Sequence, residues 1–112
     1  MTEASINRGD IWWVSLDPTQ GSEIRKTRPC VVLTHDTLNR HRRTVVVIPL
    51  STAAKTHPPI TVPVTCQGNS VVAVIDQICA VAKHRLKSIV ESLAPDELDE
   101  ICHAVSTILE LR

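Results

Sequence analysis

The chain has no Phe and no Tyr, and its only aromatic residues are Trp12 and Trp13. That excludes the broad stacking platform on which many proteins lay single-stranded nucleic acid. No apolar run approaches the ~18 residues needed to span a bilayer. The first residues, Met-Thr-Glu-Ala-Ser-Ile, offer neither a basic start nor an apolar core, so no secretory signal is visible and a cytoplasmic protein without membrane attachment is expected. The four cysteines, Cys30, Cys66, Cys79 and Cys102, form no C-x-x-C, and no His stands at zinc-finger spacing. Neither a metal site nor a disulfide framework is expected. Cys30 and Cys102 fall in apolar patterns and read as small core residues.

An excess of charge is also absent. Twelve Lys and Arg balance twelve Asp and Glu. The distribution is uneven, however: residues 1–57 hold eight cations against five acids, and residues 58–112 hold four against seven. Between Arg25 and Arg43 six cations face one acid, Asp36. A basic face on a neutral chain is one outcome. Scatter over the folded surface is the other.

What is present reads as one compact domain of 112 residues, long enough to bury a core unaided. β-Formers dominate residues 10–16, 29–34, 44–50 and 70–75. Their runs of Val and Ile suit strands buried on both faces or set in a barrel wall. Residues 60–64 alternate as an edge strand that tolerates Pro63. Gln67-Gly68-Asn69 reads as a turn. Residues 79–82 and 86–90 read as short strands either side of Lys83-His84-Arg85, and residues 35–43 as a basic loop with at most one helical turn. Adjacent strand residues point to opposite faces, so one Trp is expected in the core and the other nearer solvent. Pro95 suits the first position of a helix, with Asp96, Glu97, Asp99 and Glu100 near the positive end of its dipole. Leu98, Ile101, Cys102, Val105, Ile108 and Leu109 then recur as one helical face, while His103 falls on the polar side.

The most informative segment is D-P-T-Q-G-S-E-I-R-K-T-R-P, residues 17–29, a charged loop between two apolar strands. Loops on a rigid scaffold concentrate binding and catalysis. Arg28 is restrained by the following Pro29. A fixed guanidinium grips phosphate oxygens through paired donors and would stabilise a phosphorane. The alternative, that Arg28 caps a strand or pairs with Glu23, stays open. Ser51 ends a strand, where a hydroxyl can donate to phosphate or merely form a turn. Asp76-Gln77 ends another, and a carboxylate there is a candidate proton carrier or Arg orienter.

Taken together, Arg8-Gly9-Asp10-Ile11-Trp12, Leu16-Asp17-Pro18, Gly21-Ser22-Glu23, Arg28-Pro29-Cys30-Val31-Val32 and Asn39-Arg40 resemble the N-terminal signature of the MazF/PemK toxin endoribonucleases. Val47-Ile48-Pro49-Leu50-Ser51, Asp76-Gln77-Ile78 and Lys83-His84-Arg85-Leu86 extend the resemblance over nearly the whole chain. It implies a mainly β fold, a small CcdB/PemK-like β-barrel with a C-terminal α-helix, acting as a homodimer. It implies cleavage of single-stranded RNA without metal or other cofactor, leaving a 2′,3′-cyclic phosphate and a 5′-hydroxyl. The family's catalytic Arg falls on Arg28 and its catalytic hydroxyl, commonly Thr, on Ser51. Asp76 and Glu23 become candidates for acid–base or orienting roles, and Gly21, Ser22, Arg25, Lys26 and Gln77 for RNA binding. A cognate antitoxin is implied as partner, with operator DNA reached only through the antitoxin complex. Cys79 stands where many members carry Arg, which removes a positive charge. The same barrel also serves CcdB-like toxins that bind DNA gyrase without catalysis. Those rely on an aromatic, apolar helix end, whereas this chain ends Leu109-Glu110-Leu111-Arg112.

Overall fold

The computed structural model describes residues 5–16, 27–53 and 55–111. The expected loop cations Arg25 and Lys26, together with Gly21, Ser22 and Glu23, lie outside the described residues. Within them run β1 (Asp10–Ser15), β2 (Thr27–Val32), α1 (Asp36–His41), β3 (Thr44–Ser51), β4 (Thr61–Cys66), β5 (Asn69–Val74), β6 (Cys79–Ala82), β7 (Leu86–Ser92) and α2 (Pro95–Leu109). Short 3₁₀ turns at Ile75–Gln77 and Lys83–Arg85 flank β6.

All strand pairings are antiparallel, in the order β4-β5-β3-β2-β1-β7. β3 changes partner along its length. Its first half, Thr44 to Val47, pairs with β6, and its end, Leu50 and Ser51, pairs with β5. This change of partner curls the sheet into a half-barrel, the form in which the expected barrel occurs.

The β-branched runs are explained by burial on both sides of the sheet. Ile11, Val31, Ile48 and Leu50 face one core with Ile101 and Ala104 of α2. Trp12, Val14, Cys30, Val32, Val45 and Val47 face a second core with Val81. Alternation is masked because neither face is solvated. The tryptophans divide as the pleat requires: Trp12 is 6% exposed and Trp13 37%. β4 is an edge strand, with Pro63 exposed.

Pro95 sits in the first turn of α2, and Glu97 Oε1 accepts the Thr65 N–H at 3.1 Å, tying the helix to β4. Ile101 is fully buried, a side chain contributing about 1.5–3 kcal/mol. Two helix positions differ from the periodic reading. Leu109 is 51% exposed, because the helix ends at Glu110 in a left-handed turn closed by Leu111 N–H on Ser106 O at 2.8 Å. Cys102 is half-buried, and its Sγ accepts from Arg8 Nη2 at 2.9 Å.

The Arg8-Gly9-Asp10 triplet is scaffold. Arg8 Nε also donates to Leu33 O at 3.1 Å, and its N–H reaches Asp36 Oδ1 at 2.6 Å. Gly9 takes φ 91°, a left-handed conformation that side chains disfavour. Buried Asp10 closes the turn, accepting from Asn7 N–H at 3.0 Å and Ser92 Oγ at 3.1 Å. Asn39 is likewise structural: it is buried in α1 and donates through Nδ2 to Thr34 O at 2.8 Å.

Candidate functional site

Arg28 lies near the start of β2, opposite Val14 of β1. On its other side β2 pairs with β3 as Cys30↔Pro49, Val31↔Ile48 and Val32↔Val47. Arg28 lies two residues before Cys30 and Ser51 two residues after Pro49, so both stand just past the end of this pairing. Two residues far apart in sequence are thus brought to the same end of two neighbouring strands. Both line a cavity of about 540 Å³, within the ~300–1,000 Å³ usual for ligand sites. Its walls are Trp13, Thr27, Pro29, Leu50, Thr52, Val71 and Val90, closed by Cys66, Gln67 and Asn69 from the β4–β5 hairpin.

Ser51 has a definite local role. Its Oγ accepts the Ala53 N–H at 3.1 Å, forming the turn that carries the chain out of β3. The structural and chemical readings of this serine therefore coexist, since a hydroxyl is donor and acceptor at once. Arg28 is half-buried, and its backbone carbonyl lies 3.6 Å from Cys30 Sγ. Burial pushes the Cys30 thiol up to about 12, the nearby Cys79 adding to the rise and the Arg28 charge opposing it. Cys30 is therefore a neutral, inert core residue rather than a nucleophile. Cys66 is also raised, by burial and then by Glu91.

The other expected site residues separate. Asp76 and Gln77 are exposed in the 3₁₀ turn after β5 and do not line this cavity. The register shows why. Ser51 pairs with Val72, and Asp76 lies four residues further along, toward the opposite end of β3. The basic window divides as well. Arg42 and Arg43 precede Thr44, and β3 then runs for seven residue steps, about 23 Å at ~3.3 Å each, before reaching Ser51. Cys79 opens β6 opposite Val47 and borders a separate cleft with Ser15, Leu16 and Arg85. His103 is exposed on α2, as its place in the pattern requires.

Sequence reasoning missed Trp13, Thr27, Thr52, Gln67 and Asn69 as cavity residues. Only Trp13 carried a usable signal, because one of two adjacent strand tryptophans must turn from the core. Among the described residues, no group of three or more His, Cys, Asp or Glu is placed to hold a metal ion, and no helix is long and apolar enough to cross a membrane.

Fold and cavity define a class: an antiparallel half-barrel with a C-terminal helix, presenting an arginine and a hydroxyl to one cavity from adjacent strands. Residues 7–109 match the family model described as PemK-like, MazF-like toxin of type II toxin–antitoxin system. The chain belongs to that family. It is 33% identical to Endoribonuclease MazF9 of Mycobacterium tuberculosis, over 95% of this chain and 98% of that protein. Among solved structures, a MazE–MazF crystal structure from Deinococcus radiodurans superposes with a TM-score of 0.86 at 21% identity, covering 98% of this chain and 100% of that one. An endoribonuclease in complex with its cognate antitoxin from Mycobacterial species superposes at 0.77 and 22% identity, covering 98% of both chains. These structural matches confirm the fold. The gyrase-binding alternative is not favoured by any of these matches.

Proposed function

We propose that this chain is the toxin of a type II toxin–antitoxin pair and acts as a sequence-specific endoribonuclease on single-stranded RNA, without a metal or other cofactor. The observation that carries the reading is the convergence of Arg28 and Ser51 on one cavity from adjacent antiparallel strands. In the reaction the 2′-oxygen attacks the adjacent phosphorus, the bond from phosphorus to the 5′-oxygen breaks, and the products are a 2′,3′-cyclic phosphate and a 5′-hydroxyl. One proton leaves the 2′-hydroxyl and one reaches the departing 5′-oxygen.

Arg28 binds the equatorial oxygens of the phosphorane, where a fixed guanidinium acts most strongly. The Ser51 hydroxyl orients the scissile phosphate. A guanidinium keeps its proton up to pH ~12 and serves poorly as a base near neutrality. Proton abstraction falls to Glu23 or to water, with Asp76 acting only if the RNA-bound assembly brings it near. Gly21, Ser22, Arg25, Lys26 and Gln77 guide the RNA around this centre. The similarity to endoribonucleases, one of them solved with its cognate antitoxin, supports an antitoxin partner. In this reading the toxin acts as a homodimer in the cytoplasm. Contact with operator DNA is then indirect, through the antitoxin.

The test is direct. Purified protein in EDTA is incubated with a long single-stranded RNA, and the new ends are identified by mass spectrometry. Cyclic-phosphate and 5′-hydroxyl ends at a short recurring sequence are expected. Intact RNA across varied substrates would sink the reading.

A further inference from the structure

Two described non-glycine residues have positive φ. Glu110 ends α2, and Gln67, at φ 53°, lines the cavity that holds Arg28 and Ser51. Gln67 and Gly68 are the central pair of a two-residue hairpin, closed by the Cys66↔Asn69 pairing. Such turns require positive φ at both central positions and favour Asn, Asp or Gly there. Glutamine in that conformation is strained, and strain of this kind gathers at ligand-binding sites. It is held from outside the turn: the Gln67 backbone N–H donates to Glu91 Oε2 on β7. Asn69 Nδ2 donates to the Gln67 backbone carbonyl at 3.5 Å, and both residues line the cavity. Trp13, 37% exposed on β1 beside Pro29, lines the same cavity.

From these contacts, and resting on the endoribonuclease reading above, we infer that the Gln67–Asn69 turn and Trp13 form a base-reading subsite for one unpaired purine, adenine in preference, adjoining the phosphate held by Arg28 and Ser51. A carboxamide presents a donor and an acceptor side by side, the pattern that pairs with the adenine amino group and its neighbouring ring nitrogen. The indole supplies the face on which an unstacked base rests. A chain with two aromatics and one of them buried stacks at most one base here, so sequence preference rests on the amides.

The experiment uses a randomised single-stranded RNA library, cut by the wild-type protein and by Gln67→Gly and Trp13→Ala, with the ends sequenced. Gln67→Gly removes the amide while accepting the left-handed backbone, so it folds at least as well as the wild type. The wild type is expected to favour adenine at one position beside the cut. In Gln67→Gly that preference should fall roughly tenfold while other positions keep theirs. Trp13→Ala should raise KM about tenfold at every sequence, with kcat less affected. An unchanged base profile in Gln67→Gly, or a wild type indifferent to adenine, overturns the subsite and leaves the nuclease reading standing. A wild type that cuts no RNA overturns both.

Discussion

Replacing Gly9 with Ala tests whether the Arg8-Gly9-Asp10 triplet is scaffold rather than RNA contact. Gly9 sits at φ 91°, its N–H donating to Val32 O at 2.7 Å and its carbonyl accepting Leu93 N–H at 2.8 Å. These bonds fix the start of β1 between β2 and β7, so the backbone has no easy escape from the left-handed region. An L side chain there costs about 1–3 kcal/mol. The added Cβ would also lie 3.2 Å from Leu98 Cδ2, closer than a relaxed contact. That atom is the tip of a flexible side chain, so its yielding adds only a few tenths of a kcal/mol. A net loss of about 2 kcal/mol follows. With an unfolding entropy of ~2.1 cal/mol/K per residue, a chain of 112 residues should lose roughly 8 °C of Tm. Calorimetry on Gly9→Ala measures this, and Gly9→Ala/Leu98→Ala separates the contact from the backbone cost. The double variant should show coupling of only about 0.5 kcal/mol. RNA cleavage at low temperature, where the variant is still folded, should be unchanged. A Tm within a degree of wild type, or cleavage lost while the fold survives, would refute the scaffold assignment.

Ser51→Ala removes a charge-assisted hydrogen bond to phosphate and should lower kcat roughly 10- to 100-fold. It also leaves the Ala53 N–H without its present acceptor, so a loss of about 1 kcal/mol in denaturant unfolding is expected. Ser51→Thr keeps the hydroxyl and should retain activity, and equal damage from both substitutions would argue against the hydroxyl's role. Cys30 predicts an alkaline signature. Its thiol is neutral in the fold up to about pH 12 but ionises near the ordinary thiol value of 9.0 in the unfolded chain. The unfolded state therefore releases a proton first as pH rises. The stability Cys30 contributes is fully present below pH 9 and falls between pH 9 and 12, by up to about 1.4 kcal/mol per unit. Cys30→Val should flatten that slope in urea titrations across this range, and an unaltered slope would contradict the buried neutral thiol.

The strands were legible because β-branched runs carry their own signal even where burial on both faces erases alternation, as in Thr44–Ser51. The helix after Pro95 was legible from its period, although period alone did not show that Ala104 is buried and Leu109 exposed. α1 was not legible beyond a single turn. It spans six residues, starts where His35 Nδ1 accepts the Thr37 N–H at 3.0 Å, and is held by buried Asn39, a polar core residue that pattern reading counts as surface. Arg28 and Ser51 were singled out from their places in the chain and given catalytic roles by the family resemblance, and the antiparallel pairing of β2 with β3 brings both to one cavity. Trp13, Gln67 and Asn69 could not be assigned to the same cavity, because their meeting depends on β3 exchanging β6 for β5 after Val47. The same exchange directs Asp76 away from Ser51, although both stand at strand ends.

The central claim is that the Arg28 and Ser51 pair supplies phosphate-directed catalysis. The most direct measurement is single-turnover cleavage of a defined RNA in EDTA by wild type and Arg28→Ala, with circular dichroism confirming equal folding. Arg28 is half-buried at a cavity wall rather than in either core, so truncation should leave the fold intact. Loss of one transition-state donor to the phosphorane should reduce the rate about 100- to 1,000-fold. A folded Arg28→Ala protein that cuts at the wild-type rate would contradict the account.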